Sequence, residues 1–141
     1  MIKDGFNRDA KPASASLYHA HIYYKVGEQS EPDAKALAQL ARKLFPQHVE
    51  EVIEYDKPGG PHAASNVVIH IKSEGFGEVV RWLQFNTGDL SALVHPKSGD
   101  VIKDHIDYGL WLGPHREGLL NGPYFDRKRA ERGIKPPKQG Q

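Results

Sequence analysis

The sequence predicts an α+β fold in the order β-α-β-β-α-β, and three observations carry the prediction. Residues 17–25, Leu-Tyr-His-Ala-His-Ile-Tyr-Tyr-Lys, are aromatic and β-branched with almost no helix character, which marks a strand. Two later stretches, 34–45 and 75–85, repeat apolar residues every three or four positions, which marks amphipathic helices. The segments 49–55 and 66–72 alternate apolar and polar with a period of two, as half-buried strands do. This order is the split βαβ, ferredoxin-like arrangement. It implies a four-stranded antiparallel sheet with both helices on one face, and a first strand lying centrally between the third and fourth.

Residues 1–16 are small and polar and read as a flexible leader. In the strand that follows, side chains alternate between faces. His19, His21 and Tyr23 therefore point one way, and Tyr18, Ala20, Ile22 and Tyr24 the other. The two imidazoles lie about 6–7 Å apart along the strand. Gly27 to Pro32 reads as a loop, with Asp33 as the N-cap of a helix from Ala34 to Phe45 carrying Leu37, Leu40, Ala41 and Leu44. Pro46 stops it.

Val49 to Tyr55 is a strand, and Lys57-Pro58-Gly59-Gly60-Pro61-His62 is a stiff loop. In the strand Asn66 to Lys72, Val67, Ile69 and Ile71 share one face and Asn66, Val68 and His70 the other. Gly75 to Phe85 is the second helix, with Phe76, Val79, Val80 and Leu83 as its apolar stripe. Asn86-Thr87-Gly88-Asp89 closes it. Leu90 to His95 is an apolar strand stopped by Pro96, and Lys97 to Asp100 is a turn. A further short strand fits within Ile106 to Leu112, ended by Gly113-Pro114. Residues 17–125 form one domain, and 126–141, with six basic residues against two acidic ones, read as a disordered basic tail.

Composition excludes several chemistries. The 141 residues include no cysteine, so thiolate catalysis, zinc ribbons and iron–sulfur clusters are absent. A formal net charge of +1 gives no overall field for nucleic acid or membrane. No apolar run approaches the roughly 20 residues of a membrane span, and residues 1–6 lack the apolar core of a signal peptide. These features suit a cytoplasmic protein. No nucleophile elbow or phosphate loop is present.

The unusual count is eight histidines. His19 and His21 share a strand face, and His95 ends an apolar strand at the sheet rim, where it can approach them. His62 sits in a stiff loop able to cover that face, and Asp104 precedes His105. Imidazole-rich sites without thiolate suit iron, zinc, copper or nickel. Asp100, Asp104 and Asp107 are the nearest carboxylates able to complete such a site. His48, His70 and His115 read as ordinary hydrogen-bonded or loop histidines. Trp82 and Trp111 read as core residues or as walls of an aromatic pocket.

Taken in order, Tyr18-His19-Ala20-His21-Ile22-Tyr23-Tyr24, Phe45-Pro46-Gln47-His48-Val49, Gly60-Pro61-His62, Trp82-Leu83-Gln84-Phe85-Asn86, Leu93-Val94-His95-Pro96 and Asp104 to Gly113 resemble the DOPA 4,5-dioxygenase family. These are small extradiol-cleaving proteins of fungi and bacteria. The resemblance implies a ferredoxin-like fold, non-haem Fe(II), and oxygen-dependent ring opening of a catechol such as 3,4-dihydroxyphenylalanine. The positions that match are His19, His21, His62, His95 and His105. With the strand geometry, His19, His21 and His95 are the expected metal ligands, and His62 and His105 the acid/base or substrate-orienting residues. Arg81 or Lys97 could meet an ionic group of the substrate. The chain departs from the family pattern at Ala63 to Asn66, at His70 and after Pro114, which bears on the substrate rather than the metal. A homodimer is expected from the exposed sheet edges. The competing reading is a non-catalytic metal- or small-ligand-binding module that dimerises through the open sheet face, because this fold hosts many functions.

Overall fold

A computed structural model describes residues 15–114 and 116–134. Its elements are β1 (Leu17–Tyr24), α1 (Ser30–Leu44), β2 (Val49–Tyr55), β3 (Ser65–Lys72), α2 (Phe76–Asn86), β4 (Ala92–Pro96), α3 (Val101–His105), β5 (Leu110–Leu112) and α4 (Gly122–Glu131). The strands form one antiparallel sheet in the order β2-β3-β1-β4-β5. β1 is central, between β3 and β4, as expected.

The sheet has five strands, not four. β5 pairs with the outer edge of β4, Ala92 opposite Leu112 and Val94 opposite Leu110. A fourth strand left as the edge would expose its backbone N–H and C=O groups, and a three-residue strand suffices to pair them. Gly113 ends β5 in the left-handed region, at φ +74°, where a Cβ would lie 2.1 Å from the Leu90 carbonyl oxygen.

One face of the sheet carries the apolar core. Ala20, Ile22, Tyr24, Val67, Ile69 and Ile71 pack against Ala34, Leu37, Ala38 and Ala41 of α1 and Val79, Val80 and Leu83 of α2. Trp82 joins this cluster, its ring 5.9 Å from that of Phe45. The period-two reading of β1 and β3 therefore put the right residues on the helix side.

α1 starts at Ser30, earlier than an Asp33 cap would allow. Pro32 falls in the first turn, where its missing N–H costs nothing. Ser30 Oγ accepts from Lys25 N at 2.9 Å, and Glu31 accepts from Gly27 N at 3.0 Å, which ties the preceding loop to the helix start.

The opposite face is not open. The 57–64 loop, α3 and α4 cover it, and His21, His62, His95, His105 and Asn66 are buried there. A partner docking on that face, as the non-catalytic module reading requires, would meet the chain's own loop and helices. Asp100 caps α3, accepting from Lys103 N at 3.1 Å. Residues 126–131, expected in a disordered tail, are instead the second half of α4. Asn121 caps that helix, Phe125 is buried under it, and Arg132 beyond it reaches Asp100 at 2.9 Å. Residues 1–14 of the expected leader, residues 135–141 of the expected tail, and His115 lie outside the described residues.

Candidate metal centre

The site begins with the pleat of β1. His19, His21 and Tyr23 project to the covered face, and the register sets His19 opposite His70 on β3 and His95 on β4. His70 stacks on His19 with ring centroids 4.2 Å apart. The rim position expected for His95 brings its ring to 5.1 Å from that of His21.

His62 comes from the 57–64 loop, which is pinned by backbone bridges from His62 to Gly59 and to Leu120. Its ring centroid lies 3.9 Å from that of His21. His105, expected in a loop, is the last residue of α3. Its ring is 3.9 Å from His95 and 6.0 Å from Phe125 of α4. All five histidines singled out in the sequence thus converge. Their ligand atoms form two compact groups, His19 with His21 and His95, and His21 with His62 and His105. Within each group those atoms lie within 4.8 Å of one another. No carboxylate joins either group among the described residues. Asp104 is buried but accepts from Ser98 N at 3.0 Å and from the Ser98 hydroxyl, bracing the turn before α3.

Hydrogen bonds behind the rings determine what the cluster can hold. His21 Nδ1 lies 2.9 Å from Asn66 Oδ1, and the Asn66 amide is oriented by donating from Nδ2 to the Ala64 carbonyl at 3.2 Å. His21 therefore donates from Nδ1. His95 donates from Nδ1 to the Pro96 carbonyl at 2.7 Å. That leaves both Nε2 atoms as bare lone pairs, and they face each other at 3.1 Å. Two acceptors at that distance need a proton or a cation between them. His19 Nε2 is also buried, without a hydrogen-bond partner.

Burial disfavours the proton. It holds His19, with help from His70 and His95, at about 3 and His95, beside His105, at about 4, and keeps His21 well below the usual imidazole range. Burial and His105 likewise hold His62 at about 3. Neutral imidazoles whose other ring N–H is held by a carbonyl or amide oxygen are what a divalent transition metal requires. The residues present fit a metal ion.

A cavity of about 360 Å³ opens on the cluster, lined by His19, His21, His62, His70 and His105 together with Tyr55 and Lys57. Neither Arg81 nor Lys97 lines it; the cation there is Lys57. Its signal in the sequence was membership of the same stiff loop as His62. A larger cleft, about 740 Å³, lies at the end of β1 between α1 and α2 and contains none of the five histidines, so size does not locate the chemistry. Trp111 stacks near Tyr23, with centroids 6.0 Å apart, beside the cluster rather than in the main core.

The sequence matches the Dopa 4,5-dioxygenase family over residues 18–120, a span that includes all five histidines. The chain belongs to this family. A DOPA 4,5-dioxygenase from Amanita muscaria is 40% identical over 103 residues, which cover 69% of this chain and 45% of the relative. An uncharacterized 21.2 kDa protein of Botryotinia fuckeliana is 30% identical over 105 residues, 68% of this chain and 57% of that protein. The chain spans about half the length of these curated relatives. A candidate dioxygenase of known crystal structure from Nostoc punctiforme superposes with a TM-score of 0.62 at 30% identity, covering 81% of this chain and 94% of that one. The sheet with its covering helices is therefore shared with a solved structure, and family membership is compatible with a histidine cluster able to hold a metal.

Proposed function

We propose that this protein is a non-haem iron(II) extradiol dioxygenase that opens the ring of a catechol such as 3,4-dihydroxyphenylalanine. The observation that carries the reading is the facing pair of bare Nε2 atoms on His21 and His95, beside the buried, unpartnered Nε2 of His19. Those three residues would hold the ion. Bound there, Fe(II) supplies a Lewis acid for the catechol oxygens and a redox partner for O2.

The protein's own groups do the rest. His105 donates Nδ1–H to the Val101 carbonyl at 2.8 Å, so its Nε2 is free to accept a catechol proton. His62 is the second proton-handling residue. Lys57 at the cavity wall offers a cation for a carboxylate on the substrate. The 57–64 loop and α3, which wall the cavity, limit water access to the reacting ring.

The test is metal content. Protein purified without oxygen is expected to carry one iron per chain and to change its visible spectrum when a catechol is added. No metal uptake by folded protein would remove the reading.

The buried histidines also predict the acid behaviour of the metal-free protein. An unfolded chain takes up protons on them as pH falls through about 6.5, whereas folded His19, His62 and His95 resist until about 3–4. The unfolded state binds more protons across that window, so stability falls as pH drops from about 6.5 towards 4; above it these groups contribute no slope. Thermal unfolding of metal-free protein should show Tm decreasing steadily from pH 7 to 5. A flat profile there would show that the histidines titrate in the fold as they do in the unfolded chain.

No helix of the described residues is long and apolar enough to cross a membrane, and we place the enzyme in the cytoplasm, where a cysteine-free chain is at home. With the histidine face covered, a homodimer would use the sheet edges. Ile106, Tyr108 and Leu110 are exposed beside β5. Sedimentation showing only monomer at high micromolar concentration would rule the dimer out.

A further inference from the structure

Tyr23 and His62 form a buried pair. Tyr23 stands on the histidine face of β1, and its Oη lies 2.7 Å from His62 Nδ1. The two residues are 4% and 7% exposed. The direction of this hydrogen bond decides which nitrogen of His62 carries hydrogen, and so what His62 can do.

A phenol can donate and accept, and a neutral imidazole has one nitrogen for each role. A buried O–H needs an acceptor. Among the described residues, His62 Nδ1 is the hydrogen-bond partner of Tyr23 Oη. The phenol therefore donates and Nδ1 accepts. If Nδ1 carried the hydrogen instead, in either the other tautomer or the protonated ring, the phenolic hydrogen would be left buried without a partner. The hydrogen of His62 then lies on Nε2.

We infer that Tyr23 is a positioning residue that fixes His62 as the Nε2–H tautomer, making it a hydrogen-bond donor towards an anionic oxygen in the cavity and withdrawing it from the metal ligands. The neighbouring rings show the opposite arrangement. His21, His95 and His105 each donate Nδ1–H to an oxygen behind them, from Asn66, Pro96 and Val101 respectively, and present a bare Nε2. A lone pair binds a cation, and an N–H does not. Of the two compact groups that share His21, the one containing His62 is therefore a ligand set with a donor in it. The ion belongs with His19 and His95. The role of the N–H towards a catechol oxygen rests on the function proposed above; the tautomer itself does not.

The experiment uses the full chain with 15N-labelled histidine, loaded with Zn(II) as a diamagnetic probe, and the His62 signals assigned with a His62→Gln variant. Two-bond 1H–15N correlation spectra are expected to show His62 with a protonated Nε2 and a bare Nδ1. A His62 protonated at Nδ1, or with Nε2 bound to zinc, would overturn the inference. In Tyr23→Phe, zinc per chain should be unchanged and His62 should populate both tautomers. With iron in place, turnover of a catechol should fall about 10–100-fold with little change in KM. Loss of zinc from folded Tyr23→Phe would make Tyr23 a support of the metal and contradict the inference. An unfolded Tyr23→Phe leaves the wild-type spectrum to decide. A wild-type protein that shows the expected tautomer but opens no catechol would refute the dioxygenase reading and leave this one standing.

Discussion

His21→Ala is expected to lose the metal and the ring-opening activity together while remaining folded. His21 is the residue common to both compact histidine groups, so neither survives its removal. It projects from the central strand, whose backbone is paired on both sides by β3 and β4, and a ligand held so rigidly has no flexible substitute nearby. Loss of a ligand's hydrogen-bond partner alone costs about 10–100-fold in metal affinity or activity; loss of the ligand itself should exceed that. Adding His95→Ala should abolish binding outright. The measurement is iron per chain after anaerobic loading, with circular dichroism as the check on folding. A folded double variant with unchanged iron content would place the metal elsewhere.

His62→Ala and His105→Ala are expected to behave differently, keeping iron while turnover falls by roughly 10²–10⁴-fold, the usual cost of losing a positioned acid or base. The distinction follows from what stands behind each ring. His62 is backed by the Tyr23 phenol and sits in a loop, and His105 ends the five-residue helix α3. Both lie on elements that cover the sheet, whereas His19, His21 and His95 lie on the sheet itself. Catechol should still perturb the visible spectrum of the iron-loaded His62 and His105 variants. Should His62→Ala lose iron while His95→Ala retains it, the two roles are exchanged and the ion belongs with His62 and His105.

Much of this site was legible before any coordinates. The period of two in residues 17–24 put His19, His21 and Tyr23 on one face, and the element order placed β1 between β3 and β4, so that His95 could approach that pair. The short strand β5 and the covering loop of His62 are legible, but the covering helices are not, for physical reasons. α3 has five residues, too short to show a period. α4 buries only Phe125, so its sequence carries no apolar stripe, and its basic composition resembled a solvated tail. The roles of Asn66 and Tyr23 depend on which ring nitrogen each meets, which the register and a loop conformation set and no local motif announces. Lys57 carries no local motif; only the placement of the 57–64 loop over the sheet brings it to the cavity wall.

If these five histidines support extradiol cleavage, iron-loaded protein opens a catechol ring with O2. The most direct measurement adds 3,4-dihydroxyphenylalanine, and a panel of simpler catechols with and without a carboxylate, to anaerobically iron-loaded protein, then admits oxygen and follows O2 uptake and visible absorbance together. The account predicts one O2 consumed per catechol and a yellow ring-opened semialdehyde, with neither seen for His21→Ala. Iron-loaded, folded protein that perturbs the catechol spectrum yet consumes no O2 and forms no semialdehyde from any member of the panel would contradict it.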